Sequence, residues 1–292
     1  MVLNNVLSCF DGISGGQIAL NRAGIQYNNY YALEIDKFAI KTTQKNFPNT
    51  IQMGDVSNFR SWNIHNIDLI LGGSPCVDLS AAKQNREGLE GSKSKLFWTF
   101  VDSLTFHDPQ YFLFENVASM PKKDKDIITK ELGVEPIFIN SSLVSALNRP
   151  RLYWTNIQNI IQPEDRKIFV SDILEPDSRI GEKYYLSQKA KDRLETINIR
   201  AKARGLGYKD CIIDELNNSK FLCLDANYFK GPDGKRSVVL AKDLRMITPL
   251  EAERLQTLPD GYTDGVSDTQ RYKQIGNGWT IDVIAHILKN IK

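Results

Sequence analysis

The chain has 292 residues, 41% hydrophobic and 25% charged, enough to bury a full core and to hold one large domain with an insertion. A net charge of +2 is too mild to single out a nucleic-acid partner, and no window approaches the about 20 apolar residues of a membrane span, so neither membrane insertion nor secretion is expected. Cys9, Cys76, Cys211 and Cys223 form no CxxC pair, and with only His65, His107 and His286 beside them no zinc-ligand cluster can be written, so reduced thiols, no metal and a cytoplasmic setting are expected.

From about residue 5 to 156, short apolar runs alternate with amphipathic stretches, the pattern of βα units building a parallel sheet. Strands are predicted at 5–9, 30–33, 50–53, 68–71 and 111–114. Between the first two, Ile18, Ala19 and Arg22 fall at helical spacing within 15–23, and Gly24 follows as the expected C′ residue. Beyond 156 the texture turns to charge, Asn and short mixed segments, broken by Gly205, Gly207, Gly231 and Gly234. This predicts a first domain over 1–156, an inserted second domain over 157–243, and a return to the first over 244–292. At the close, Ile281, Ile284, Leu288 and Ile291 share one helical face, which should dock on the first domain.

Open α/β sheets handle ligands beyond the carboxyl ends of their strands, and the chemistry-bearing residues fall there. Phe10-Asp11-Gly12-Ile13-Ser14-Gly15-Gly16 follows the first strand and opens a helix, letting a ligand approach the backbone, although plain punctuation reads the same. Glu34, about 20 residues on, stands where an acid accepts from ribose hydroxyls; a solvated carboxylate is the bland alternative. Asp55 suits either an adenine amino group or a helix cap. Together the three describe an adenosine pocket without a pyrophosphate cradle.

Cys76 lies in Gly72-Gly73-Ser74-Pro75-Cys76, a tight loop after the strand at 68–71. Most cysteines are small buried hydrophobes, but a thiol at the active edge of a sheet is placed to act as a nucleophile. Glu115 projects from the same edge after 111–114, as a general acid for a heterocycle under attack or as a solvated cap. Arg149 and Arg151 precede a strand-like run at 152–154, able to brace a carbonyl or phosphate or to pair on the surface. Residues 189–209 hold seven Lys or Arg against two Asp or Glu, a charged helix face or a phosphate contact. Residues 81–95, with Lys83, Arg86, Lys93 and Lys95, read as a lid or as a surface loop.

In joint order these motifs resemble the DNA cytosine carbon-5 methyltransferases, matching both ends of the chain around about 85 unmatched residues. Residues 10–16, with Phe10, Gly12 and Gly15, resemble the family's cofactor loop, Glu34 its ribose acid and Asp55 its adenine contact, while Val56, Pro75, Leu96 and Asn277 complete the cofactor side. Ser74-Pro75-Cys76 resembles the catalytic turn, Glu115-Asn116-Val117 the Glu-Asn-Val element, and Arg149 with Arg151 the paired arginines. Arg245, Thr248, Pro249, Glu251 and Arg254-Leu255-Gln256 look like the motif after target recognition, and Gln274-Ile275-Gly276-Asn277-Gly278 like the last cofactor-side loop. The wording around Cys76 is closest to the branch shared by eukaryotic de novo enzymes and bacterial and phage enzymes. Leu147 departs from the usual Gln before the arginines, and Trp279 from the usual small residue.

The resemblance implies an α/β fold, the Rossmann-like, mostly parallel sheet of S-adenosylmethionine-dependent methyltransferases, with a small target-recognition domain over 157–243. It implies a DNA cytosine-5-methyltransferase that takes its methyl group from S-adenosyl-L-methionine and acts on double-stranded DNA with the cytosine flipped out. Cys76 would attack ring carbon 6, Glu115 serve ring nitrogen 3 and Arg151 hold the exocyclic oxygen. The competing readings are a tRNA cytosine-5 methyltransferase, a catalytically silent DNA-binding regulatory subunit of the same fold, and an unrelated adenosine-cofactor enzyme. Restriction–modification, orphan regulation and phage self-protection fit the residues equally.

Overall fold

The computed structural model describes residues 1–75, 79, 88–91, 96–203, 212–222, 224–232 and 238–292. They fall into two compact units: Met1–Asn140 with Pro150–Pro163 and Ile281–Lys292, and Ser141–Arg149 with Glu164–Thr280.

In the first unit the chain runs β1 (Val2–Cys9), α1 (Gly15–Ala23), β2 (Gln26–Leu33), α2 (Lys37–Asn46), β3 (Ile51–Gln52), β4 (Ile67–Gly72), α3 (Leu96–His107), β5 (Tyr111–Val117), α4 (Lys122–Leu132), β6 (Ile137–Asn140) and β7 (Pro150–Thr155). The strands form one seven-stranded sheet in the order β3-β2-β1-β4-β5-β7-β6. Pairs among β1 to β5 are parallel, whereas β7 runs antiparallel to both β5 and β6. The five strands expected from sequence are all present. β2 starts earlier than its apolar run because β3 pairs only with Tyr31 and Ala32, leaving Asn28 and Asn29 exposed with no alternation to read. β6, which the hydrophobic pattern missed, is an edge strand with Phe138 half exposed.

The core explains the near-continuous apolar runs: Leu69, Ile70 and Leu71 of β4 and Leu113 and Phe114 of β5 are fully buried in the middle of the sheet. From α3, Phe97 and Phe100 stack on Phe114 with ring centroids 5.4 and 4.8 Å away, and Phe114 meets Trp154 of β7 at 6.0 Å. Gly72 is part of this packing, since a Cβ there would lie 2.5 Å from the Phe100 ring. α1 ends as expected at Gly24, whose φ of +73° lets its amide return to the carbonyls of Asn21 and Leu20.

The second unit continues with α5 (Val170–Ile173), α6 (Gln188–Ala203), β8 (Ile212–Ile213), β9 (Val238–Leu240), β10 (Leu244–Arg245), α7 (Pro249–Leu255) and α8 (Asp268–Asn277). Its small sheet has the order β10-β9-β8, and Leu194 of the basic helix α6 packs on Val238 of β9. Residues 244–280 cluster with this unit, and the chain rejoins the first at α9 (Ile281–Leu288). Ile281, Ile284, Leu288 and Ile291 are buried, and α9 packs on α1, where Arg22 pairs with Asp282 at 2.7 Å. No helix among the described residues is long and apolar enough to cross a membrane.

Candidate active site

Strand order turns outward in both directions from β1 and β4, so the crevice beyond their carboxyl ends is where a doubly wound sheet receives a ligand. After β1, Phe10, Gly12 and Ser14 take φ of +59°, +59° and +56°, a left-handed sequence that L residues adopt only when surroundings enforce it. Glu34, at the end of β2, enforces part of it: Oε2 accepts the Gly12 amide at 2.8 Å and Oε1 accepts the Ile35 and Asp36 amides, each at 2.8 Å. A Cβ at Gly12 would meet nothing within 4 Å, so the main chain faces open space there, while Gly15 packs against Ile281.

Asp55 does cap a 3-10 turn, Val56–Ser61, through Oδ1, which accepts the Ser57 amide at 2.9 Å and hydroxyl at 2.8 Å. These bonds hold its carboxyl below the usual range. Val56 behind it is buried.

At the tip of β5, Glu115 Oε1 lies 2.6 Å from Arg151 Nε, and both side chains are almost wholly buried. The sheet ladder sets this pair: Glu115 stands opposite Tyr153 and Val117 opposite Arg151, so the arginine is the diagonal neighbour on the same face. Gly72 of β4 stands opposite Phe114, which brings Glu115 level with the start of Gly73-Ser74-Pro75. Asn116 closes the connection, its amide donating to the Ser74 carbonyl at 3.4 Å and hydroxyl at 3.3 Å, both groups buried. The turn that leads into Cys76 is thus tied to the strand that carries Glu115. Cys76 itself, Cys211 and Cys223, and residues 81–87 and 92–95 of the expected lid, lie outside the described residues, with Pro75 and Leu96 described. Burial pushes the Cys9 thiol up to about 12, so Cys9 is not placed to act as a thiolate.

Arg149, two residues before Arg151, belongs to the second unit. Its guanidinium donates to the carbonyls of Leu224 at 3.1 Å, Gly276 at 3.2 Å and Gly278 at 2.9 Å. Gln256 holds the same loop, donating to Ile275 at 3.0 Å and Gly278 at 3.3 Å and accepting from Thr280, whose hydroxyl accepts from Ser141 at 2.8 Å. Gly276 is confined by main chain, since a Cβ would lie 2.4 Å from the Asp225 carbonyl carbon. Asn277 ends this braced helix exposed.

Arg245 and Glu251 form a fully buried two-point ion pair at 2.8 and 2.7 Å. Glu251 also accepts the Thr248 amide at 2.7 Å, and Thr248 accepts the Glu251 amide at 3.1 Å, the capping box that starts α7 with Pro249 in its first turn. This motif therefore folds a helix. Among the described residues no group of three or more His, Cys, Asp or Glu gathers as metal ligands. Sequence reasoning gave no role to the Asn116 bonds or to the Gln256 brace; their only signal is a lone amide at a strand tip and at a helix end.

A family model described as C-5 cytosine-specific DNA methylase matches residues 4–135 and 146–292. The Type II methyltransferase M.NlaX of Neisseria lactamica is 30% identical over 310 residues, covering 98% of this chain and 96% of its own length. The Type II methyltransferase M1.ScrFI of Lactococcus lactis subsp. cremoris is 30% identical over 312 residues, covering 98% and 77%. Among solved structures, the Entamoeba histolytica methyltransferase EhMeth superposes with a TM-score of 0.77 at 19% identity, covering 99% of this chain and 97% of that one. A mutant of Spodoptera frugiperda DNMT2 superposes with a TM-score of 0.72 at 20% identity, covering 98% and 99%, a likeness of fold.

Proposed function

We propose, from the premise that this chain belongs to the family of C-5 cytosine-specific DNA methylases, that Cys76, Glu115 and Arg151 carry methyl transfer to a cytosine swung out of duplex DNA. The chain is a DNA cytosine-5-methyltransferase on the Rossmann-like sheet of that enzyme class. Family membership implies S-adenosylmethionine, which supplies a methyl group on an electrophilic sulfonium. The open face of Gly12 and the amide-loaded carboxylate of Glu34 fit such a donor. Phe10, Gly12 and Gly15 would cradle it, Glu34 take its ribose hydroxyls, and Asp55 with Val56 its adenine. Pro75, Leu96 and Asn277 are the remaining contacts that the family resemblance supplies.

Cytosine carbon 5 is unreactive until a nucleophile adds to carbon 6. The Cys76 thiolate forms that bond, and the electron pair displaced toward ring nitrogen 3 is met by a proton from Glu115. Arg151 fixes one Glu115 oxygen, its Nη1 donates to the Pro150 carbonyl at 2.9 Å, and its guanidinium so held would face the exocyclic oxygen. The resulting enamine carbon 5 takes the methyl group. Transfer of the carbon 5 proton to water, with the C–H electron pair restoring the carbon 5–carbon 6 double bond and expelling the Cys76 sulfur, and return of the nitrogen proton to Glu115 restore the enzyme. These ring atoms are covered inside a stacked duplex, so the base must leave the stack. The single observation that carries this reading is the buried Glu115–Arg151 pair at 2.6 Å beside the Ser74-Pro75 turn that Asn116 holds.

The similarity to Type II methyltransferases supports a modification role within restriction–modification, and the basic helix α6 within 157–243 supports phosphate contact by a target-recognition segment. A duplex carrying 5-fluorocytosine tests the chemistry, because fluorine cannot leave carbon 5 as a cation and the adduct persists. The wild-type enzyme with donor is expected to give a denaturation-resistant protein–DNA complex, and Cys76→Ala none, with donor binding unchanged. Turnover by Cys76→Ala, or labelled methyl transfer to a tRNA pool in place of DNA, would overturn the reading.

A further inference from the structure

The loop at residues 10–16 is gripped by a second carboxylate, that of Asp11. Its Oδ1 accepts the Tyr30 hydroxyl at 2.8 Å and its Oδ2 accepts the Ser14 hydroxyl, all three side chains buried. Tyr30 reaches in from β2 only because residue 16 is glycine: a Cβ there would lie 2.5 Å from the Tyr30 oxygen and 2.7 Å from Leu71 Cδ1. Ser14 occupies the N-cap position of α1 but is left-handed and makes no capping bond with its side chain, its hydroxyl being given to Asp11. Burial pushes the Asp11 carboxyl up to about 6, while the hydroxyls of Ser14, Ser8 and Tyr30 pull it down and Glu34 raises it further. Holding a carboxylate in so dry a place, and two non-glycine residues at left-handed φ beside it, serves position at the expense of stability.

We propose that Asp11 and Tyr30 are positioning residues whose mutual bond locks residues 10–16 in the conformation that receives the methyl donor. The proposal rests on the reading of this loop as the donor site. Ionised Asp11 accepts both hydroxyls, whereas the neutral acid gives up acceptor capacity, so the lock loosens as pH falls through about 6. Among the described residues the titratable groups facing Asp11 are Cys9 from β1, Tyr27 and Tyr30 from β2 and Glu34 at its end; burial pushes the first three up, so they stay neutral in this range.

Calorimetric titration of the full chain with S-adenosylmethionine and with S-adenosylhomocysteine tests the lock. Tyr30→Phe is expected to weaken binding about tenfold, the value of one hydrogen bond to a charged group, with kcat at saturating donor within about twofold of wild type. Tyr27→Phe, which removes from the same strand as Tyr30 a hydroxyl that donates to Gln17 of α1 at 2.7 Å, should bind within about twofold of wild type. Wild-type affinity should fall below pH about 6 and that of Asp11→Asn should not. Ser14→Ala, which removes the other hydroxyl, gives the same readout should Tyr30→Phe fail to fold. Wild-type affinity in Tyr30→Phe together with weak binding by Glu34→Ala would remove the lock alone. Undiminished binding by Glu34→Ala would remove the loop as donor site, and the lock with it.

Discussion

The carboxyl edge of the seven-stranded sheet and the helical part of the second unit both hold charged motif residues, yet they engage them differently. At the sheet edge Glu115 meets Arg151 across one ion pair on neighbouring strand tips, next to the turn entering Cys76. In the second unit Arg149, Arg245, Glu251 and Gln256 are bonded to main-chain carbonyls, amides and one another, and shape helix ends. Motif residues thus divide by what their polar atoms touch: the first group should fail in rate with the fold kept, the second in stability.

The sharpest test of that division is Glu115→Gln, which keeps shape but removes the carboxyl proposed to serve ring nitrogen 3; kcat should fall about 10²- to 10⁴-fold with the melting temperature held. An unchanged rate would move Glu115 out of the chemistry. Arg245→Ala should do the reverse. It leaves Glu251 buried and uncompensated, a loss of about 3–5 kcal/mol in urea unfolding. A fall in kcat at full stability would erase the distinction between the two regions. Gln256→Ala is a smaller version, leaving the Ile275 and Gly278 carbonyls without that donor at about 1–3 kcal/mol.

The last prediction crosses the division, because Asp11 belongs to the sheet edge and yet acts on stability. Its carboxyl is raised from 3.8 to about 6, so its contribution to folding is fully present below pH 3.8 and lost as pH rises through about 6. Wild type minus Asp11→Asn, followed by unfolding across that window, should decline by on the order of 3 kcal/mol toward neutral pH. A flat difference would mean that Asp11 is not buried as an acid.

The sheet was legible because β4 and β5 are buried on both faces and read as unbroken apolar runs. β6 and the start of β2 were not, since an edge strand and an open strand end carry no periodic constraint. In the site, Glu34 and Glu115 were legible as acids at strand ends. The choice between cap and ligand at Asp55 was not, because both uses ask for the same short carboxylate. Arg149 and Arg151 look alike in sequence; only the antiparallel ladder, which gives Arg151 to Glu115, separates them. The partnership of Asp11 and Tyr30 joins residues nineteen positions apart through a glycine's missing side chain, a relation that periodicity does not record.

The second unit takes Ser141–Arg149 from between β6 and β7 as well as Glu164–Thr280, so its chain is discontinuous. Asn148 donates to the Phe221 carbonyl at 2.8 Å, Phe221 to Ala146 at 2.6 Å, and Lys220 to Ser142 at 2.8 Å and Ser145 at 3.1 Å. A chimera that transplants only the long segment from a relative would pair a foreign surface with this native loop and strand those amides and carbonyls. Moving this unit between such enzymes calls for a two-piece graft, the short loop travelling with its long partner.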